Sequence, residues 1–310
     1  MPQKIADLSC QYLARSRKEC SMNHHYVILS DAACDLERGV MKQENLEMIA
    51  MEYIQDTEIV QYTPTDSVQP IKKFYDAQRN GSLAKTSQIP PKTYEDVMRP
   101  WLESGFSVLY LALSSGLSST YQTACTAGEK MQKQYPGLRI IAVDTKAATG
   151  GMGILTERAV RNRAAGMTIS ENAQNLCKAV GQLHHWFLVQ DLKYLQQGGR
   201  ISAATAMVGT VFRIHPILEI DSDGRLQTIG KARGKHKAMR ELLDHYEAFR
   251  TDSCADPVYV IDADAPEIGN ILQQKLLERH PELTIRRCTL SPIIGAHTGP
   301  GMAAIIHIGR

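Results

Sequence analysis

From Tyr26 to the C-terminus, short apolar runs alternate with longer amphipathic stretches. Runs this short that are apolar throughout are buried on both faces, the pattern of strands in a sheet covered by helices. Strands are expected at residues 26–29, 58–62, 108–113, 139–143, 186–190, 216–220, 226–229, 258–261, 284–287, 293–296 and 303–308. Helical periodicity fills the spaces between them at 121–134, 153–165, 235–249 and 267–278. Capping-box strings Thr93-x-x-Asp96 and Thr168-x-x-Glu171 open two further helices. In the first half the strict strand–helix alternation predicts a parallel sheet with crossovers. In the second half, short turns join neighbouring strands. Asp221-Ser222-Asp223-Gly224 is one, and the Gly-rich segment from Gly295 to Gly301 is read as another. The expected architecture is α/β with two domains: a parallel-sheet lobe over 25–175 and a mixed-sheet lobe over 176–310. Residues 1–24 read as a disordered leader, with Met22 as a candidate initiator.

A chain of 310 residues accommodates two such lobes and buries roughly 75% of its unfolded surface, so no disulfide or metal staple is needed. Thirty-five Lys and Arg against 33 Asp and Glu leave a formal charge of +2, which gives no general attraction to nucleic acid. The seven cysteines show no C-x-x-C spacing, which argues against zinc ribbons and thioredoxin-type centres and for free thiols in a reducing compartment. There is no signal-type leader and no apolar run of membrane-spanning length, so a cytoplasmic protein without stable membrane insertion is expected.

Five segments have residue types suited to chemistry. Val108-Leu-Tyr-Leu-Ala-Leu113 runs into Ser114-Ser-Gly-Leu-Ser118-Ser-Thr120, a strand, a hydroxyl-rich turn and a helix start. Ligands of open α/β sheets bind at such strand ends, and helix-start amides favour anions; a plain N-cap at Ser118 or Ser119 fits equally well. Lys85-Thr86-Ser87-Gln88, before Pro90-Pro91, reads as a loop between helices, either a binding edge or only a turn. Gly198-Gly199-Arg200 places a guanidinium on a tight turn, facing either an anion or solvent. His297 lies in Gly295-Ala-His297-Thr-Gly-Pro-Gly301, read as a turn between two strands, where it would contact an anion, act as a base or merely satisfy its own backbone. Lys231-Ala-Arg233-Gly-Lys235-His-Lys237 is a basic stretch that is either a solvated face or a docking surface. The pairs His24-His25 and His184-His185 have no metal-ligand context and read as incidental.

Taken in order, these strings resemble the DegV family of bacterial lipid-binding proteins. The match includes Ile28-Leu-Ser-Asp31 through Asp35-Leu36, Lys85-Thr-Ser-Gln88, Ser114 to Gln122, and Val143-Asp-Thr-Lys146. It continues through Tyr194-Leu-Gln-Gln-Gly-Gly-Arg-Ile-Ser202, His215-Pro-Ile-Leu218, Lys231-Ala-Arg233 and Gly295 to Gly301. The resemblance implies two α/β domains holding a long-chain fatty acid such as palmitate, stearate or oleate in a buried tunnel. No other cofactor and no metal is implied. It places Thr86 and Ser118 as carboxylate-binding hydroxyls, with Arg200 and His297 completing the polar network. It places Arg233, with Lys231 and Lys235 beside it, where a partner docks. That partner is an ATP-dependent fatty-acid kinase related to dihydroxyacetone kinases, which makes acyl-phosphate for phospholipid synthesis; this chain is then the acyl-donor subunit and not itself an enzyme. Three departures stand out. Asp31-Ala-Ala-Cys-Asp35 lacks two hydroxyls of the usual string, Ser119 stands where glycine is usual, and Ile89 interrupts the Gln-Pro step.

The physical chemistry is consistent with that function. A carboxylate in an apolar tunnel needs several donors, because an unpaired buried charge is very costly. Each buried CH₂ contributes about 0.8 kcal/mol, so a C16 tail supplies on the order of 10 kcal/mol before ordering costs. Two alternatives use the same residues. A serine hydrolase would pair Ser118 with His297 in α/β-hydrolase chain order, although Ser119-Thr120 replaces the second glycine of its nucleophile elbow. A regulatory module would instead use bound lipid only as a signal of occupancy.

Overall fold

A computed structural model describes residues 25–43, 45–64, 69–202, 214–252 and 255–310; the leader expected at 1–24 lies outside the described residues. Strand β1 (Tyr26–Asp31) is followed by the single turn α1 (Arg38–Met41), then β2 (Leu46–Ile49), β3 (Met51–Gln55) and β4 (Glu58–Tyr62). Helix α2 (Gln69–Arg79), β5 (Ala84–Thr86), α3 (Pro91–Glu103), β6 (Ser107–Ala112), α4 (Thr120–Gln134) and β7 (Ile140–Asp144) complete the first half. Helices α5 (Gly150–Ala164) and α6 (Ile169–Val180) lead into β8 (Leu183–Leu188), α7 (Lys193–Gln197), β9 (Ile214–Ile220) and β10 (Leu226–Arg233). The chain ends with α8 (Lys235–Phe249), β11 (Val258–Asp262), α9 (Pro266–Arg279), β12 (Ile285–Thr289), α10 (Pro292–Thr298) and β13 (Ala303–Ile308).

Strands β2-β1-β6-β7 form a parallel sheet, as the strand–helix alternation requires. The second sheet runs β10-β9-β8-β13-β11-β12 and is mixed, with only β11 and β12 parallel. The turn Asp221-Ser222-Asp223-Gly224 joins antiparallel β9 and β10, with Gly224 at φ 77°. A third sheet, β4-β3-β5, is antiparallel, and its strand β3 at Met51–Gln55 has no counterpart among the expected strands, nor has β2 of the parallel sheet. In β3, Met51 and Tyr53 point inward on either side of Glu52, which breaks any continuous apolar run.

Alternation along the strands sorts side chains into cores. Tyr26, Ile28, Leu109 and Leu111 pack under α5 and α6. Trp186, Leu188, Val260, Ala303 and Ile305 pack under α8 and α9. The opposite faces, Val27, Leu29, Val108 and Tyr110 from the parallel sheet and Phe187, Ile261, Ala304 and Ile306 from the mixed sheet, belong to one continuous cluster. The two sheets therefore share a core, and it is there that the cavity lies. Glycines at the start of α5 permit the approach: a Cβ on Gly150 would stand 2.7 Å from the Tyr259 ring, and one on Gly153 would stand 2.7 Å from the Asp35 carbonyl oxygen.

The structure corrects three local expectations. Residues 293–296 are not a strand: Pro292 occupies the first turn of α10, and Gly299 at φ 72° ends it. An apolar run of four fits a buried helix as well as a strand, so periodicity did not decide the matter. Thr93-x-x-Asp96 is not a capping box, because Pro91 starts α3 two residues earlier and Pro90 holds the N-cap position. Thr168-x-x-Glu171 is one, with the Thr168 N–H donating to Glu171 at 2.9 Å and the Glu171 N–H donating back at 3.3 Å. Finally, Lys85 and Thr86 lie in an edge strand rather than a loop, with Thr86 paired to Tyr53. Among the described residues Cys34, Cys125, Cys177 and Cys288 are in no disulfide, and no helix is long and apolar enough to cross a membrane.

Candidate functional site

Thr86, Ser118, Arg200 and His297 all line one cavity of about 460 Å³ in the shared core. Each arrives from a different element. Thr86 ends β5, Ser118 lies in the turn after β6, Arg200 follows α7, and His297 is on the last turn of α10 rather than between two strands. Thr86 and Ser118 thus come from a strand end and the loop after a strand, as ligand sites in α/β sheets do, whereas Arg200 and His297 are supplied from the C-terminal ends of helices.

The Thr86 hydroxyl and His297 Nε2 are 2.8 Å apart. His297 Nδ1 is buried without a partner, packed against Gly198, where a Cβ would stand 2.3 Å from it. Glycine at 198 is thus what lets the imidazole lie under the α7 turn. Burial, aided by the positive charge of Arg200, holds the His297 pKa down at about 4, so the ring is neutral at pH 7. Arg200 donates from Nε to the Leu117 carbonyl at 3.1 Å and from Nη1 to the Gly198 carbonyl at 2.5 Å. Burial lowers its own pKa below the usual guanidinium value. Among the described residues lining the cavity, it is the one that carries charge at neutral pH.

Ser118 Oγ lies 2.8 Å from Thr120 Oγ1 and accepts from the Thr120 N–H at 3.2 Å. Ser119 occupies the N-cap position of α4 without a side-chain cap bond. The serine turn is held from the opposite sheet, since Ser114 Oγ donates to the Gly224 carbonyl at 2.7 Å, and a Cβ on Gly116 would stand 2.5 Å from that same oxygen. Beyond the polar end the walls are apolar, with Leu113, Phe187, Ile293, Met302, Ala304 and Ile306. The arrangement is a pocket with one cation, a cluster of neutral donors and extensive hydrocarbon lining. It suits a ligand with an anionic head and an apolar tail.

The serine-hydrolase alternative is not favoured. His297 Nε2 bonds Thr86 and Ser118 Oγ bonds Thr120, so the serine–histidine pair that activates a nucleophile is absent. Lys231, Arg233 and Lys235 do not line the cavity. They are exposed at the end of β10 and the start of α8 and take part in no ion pair among the described residues. His185, which reads as incidental in the sequence, is among the residues lining the cavity. It shares a strand face with Phe187; period-2 alternation along Leu183–Leu188 is the signal that identifies it.

The family model described as "Uncharacterised protein, DegV family" matches residues 25–310. The DegV domain-containing protein YteA of Lactococcus lactis is 32% identical over 285 residues, covering 92% of this chain and 98% of that protein. A DegV domain-containing protein of Streptococcus pyogenes serotype M1 is 33% identical over 288 residues, covering 92% and 98%. Among solved structures, a DegV family protein from Thermus thermophilus, described by its fatty-acid binding, superposes with a TM-score of 0.80 at 25% identity, over 92% of this chain and 100% of that one. The B3 protein of Streptococcus pneumoniae fatty acid kinase, loaded with linoleic acid, superposes with a TM-score of 0.82 at 15% identity, over 92% and 100%, a likeness of fold. A fold shared over nine-tenths of the chain and identities above 30% with full-length relatives lead to one conclusion: this chain belongs to the DegV family.

Proposed function

We propose that this protein binds a long-chain fatty acid in the cavity of the shared core and presents its carboxylate to a separate ATP-dependent fatty-acid kinase for conversion to acyl-phosphate. The observation that carries the reading is the convergence of Arg200 and the neutral pair Thr86–His297 on one cavity that also has a large apolar lining. A carboxylate there meets a guanidinium, two hydroxyls and an imidazole, and ion-to-donor bonds of this kind stabilise by about 1.5–3 kcal/mol each. The fatty-acid ligands named for family neighbours support a fatty acid as the ligand class. Because the acyl carboxylate needs activation by a phosphoryl donor, the chemistry resides on the partner, and this chain acts as a binding subunit. Docking is assigned to Lys231, Arg233 and Lys235, whose charges are free to meet an acidic surface. The fold likeness to the pneumococcal kinase subunit supports such a partner. A cytoplasmic location follows from that role.

Organic extraction of the purified protein with mass spectrometry, alongside native mass spectrometry, tests the binding step. A stoichiometric fatty acid of C14–C18 length is expected; an apo mass unmoved by added palmitate or oleate would refute it. Reconstitution with a dihydroxyacetone-kinase-like partner and ATP tests the transfer. It also separates acyl donation from a module that merely signals occupancy.

A further inference from the structure

The tip of the β9–β10 hairpin forms part of the cavity wall without being anchored in its own sheet. Strand β9 pairs with β8 at Ile217 and Leu218, whereas its pairing with β10 continues to Ile220 and Leu226. Among the described residues, the stretch from Glu219 to Gln227 therefore has no strand partner outside the hairpin. The turn is nevertheless stiff, because the Asp221 carboxylate accepts the N–H groups of Asp223 and Arg225 and the Gln227 amide, each at 2.9 Å. Ile220 and Leu226, on either side of the turn, line the cavity.

The turn is held instead by the opposite lobe. Ser114 Oγ donates to the Gly224 carbonyl at 2.7 Å, and Lys146 Nζ donates to the Asp223 carbonyl at 3.4 Å. The approach is close: a Cβ on Gly224 would stand 2.1 Å from Ser114 Oγ and 2.9 Å from Lys146 Cδ. Lys146 Nζ also donates to Ser115 Oγ at 2.8 Å and pairs with Asp144 at 2.9 Å, so one ammonium joins the end of β7, the serine turn and the hairpin. Its backbone sits at φ 48°, an unfavourable left-handed conformation for lysine that these contacts hold in place. The string Val143-Asp-Thr-Lys146, which supplies no cavity-lining residue, thus has a place in the site. The seam adjoins the head-group residues. The Ser118 N–H donates to the Ser114 carbonyl at 3.1 Å, Arg200 Nε donates to the Leu117 carbonyl, and Ser115 lines the cavity while remaining exposed.

Building on the proposed fatty-acid binding, we infer that the hairpin tip is a strap across the cavity beside Ser118 and Arg200, latched by Ser114 and Lys146, and that a fatty acid enters and leaves when the latch parts. The latch bonds join protein to protein, so they hold the strap alike with the cavity filled or empty. Weakening them then speeds entry and exit by the same factor and leaves the affinity where it was. Losing an ordinary ligand contact acts differently: exit alone speeds up, and binding weakens in step. One hydrogen bond of this kind corresponds to about twofold to tenfold in the opening equilibrium. A strap parting here brings the carboxylate to solvent, the end that a phosphoryl donor must reach.

Stopped-flow fluorescence with cis-parinaric acid, a fluorescent long-chain fatty acid, gives entry and exit rates for delipidated wild type, Lys146→Met and Ser114→Ala, with equilibrium affinity measured alongside. In Lys146→Met, which keeps an unbranched stem at residue 146, both rates are expected to rise about twofold to tenfold while the dissociation constant stays within about twofold. Lys146→Arg, which keeps charge and donors, is expected to stay near wild type. Wild-type rates in both Lys146→Met and Ser114→Ala, or an exit rate that rises alone while binding weakens in step, would overturn the strap. Should Lys146→Met fail to fold, Ser114→Ala decides by the same criterion. If wild type binds neither the probe nor palmitate, the fatty-acid reading fails and the strap falls with it, an outcome separate from a strap that fails while binding holds.

Discussion

Asp35 offers a sharp test of how the site's framework is held. It is buried at the end of the loop after β1; Oδ1 accepts the Ser291 N–H at 3.0 Å, and Oδ2 accepts the Thr149 hydroxyl. Those two partners stand at the starts of α10, which carries His297, and of α5, which packs against β11. Burial raises the Asp35 pKa from 3.8 to about 7 despite both bonds. An acid whose folded pKa lies above its unfolded value favours the native state below the unfolded pKa, and that advantage is lost as pH rises toward the folded one. At 1.36 kcal/mol per pK unit the full loss is about 4 kcal/mol, of which about 2–3 kcal/mol falls between pH 5 and pH 8. Asp35→Asn keeps both contacts, its amide oxygen accepting from Ser291 and its NH₂ donating to Thr149, and it carries no charge. Relative to wild type it is expected to gain about 2–3 kcal/mol across that pH interval, or about 5 °C in Tm for a chain of this size. Thermal melts of both proteins at pH 5, 6, 7 and 8 measure the difference, in which other titrating groups cancel. A variant-minus-wild-type Tm that does not change with pH would show that Asp35 ionises in the native state like an exposed carboxyl, and the reasoning would fail.

Further expectations concern the cavity and the basic surface. Thr86→Val and Ser118→Ala each remove a hydroxyl from the head-group end and are expected to weaken palmitate binding about 10-fold or more by calorimetry, with circular dichroism unchanged. Binding as tight as wild type in both variants would move the carboxylate elsewhere. His297, held at about 4 by burial and Arg200, is expected to rise on fatty-acid binding because a carboxylate favours the imidazolium. Side-chain ¹⁵N spectra across pH 4–8, with and without palmitate, would show it, and an unmoved titration would place the head group away from the ring. Arg233→Glu with Lys231→Glu is expected to lower acyl-phosphate production by a reconstituted kinase while leaving palmitate affinity unchanged; equal turnover would remove the docking assignment.

Much of the architecture was legible in the chain because its strands are buried on both faces. The run Val108-Leu-Tyr-Leu-Ala-Leu113 has only one reading when both sides of a strand meet helices or another sheet. The half-buried β3 and the edge strand β5 were not legible, since the strands are short and Glu52 and Lys85 interrupt their apolar residues. Nor was α10, whose apolar run of four satisfies both periodicities until Pro292 is recognised as a helix start.

The identities of the head-group residues were carried by motif strings, and those identities are local chemistry: hydroxyls, a guanidinium and an imidazole beside glycines. What no string contained is their convergence. Thr86 and His297 meet at 2.8 Å across 211 residues only because β5 pairs with β3 and α10 packs beside them. His185 shows the difference most clearly. As a dipeptide with His184 it signified nothing, and strand alternation by itself says only that it shares a face with Phe187. Which space that face looks into is decided by the packing of one sheet on another, a product of long-range burial that no local pattern of residues encodes.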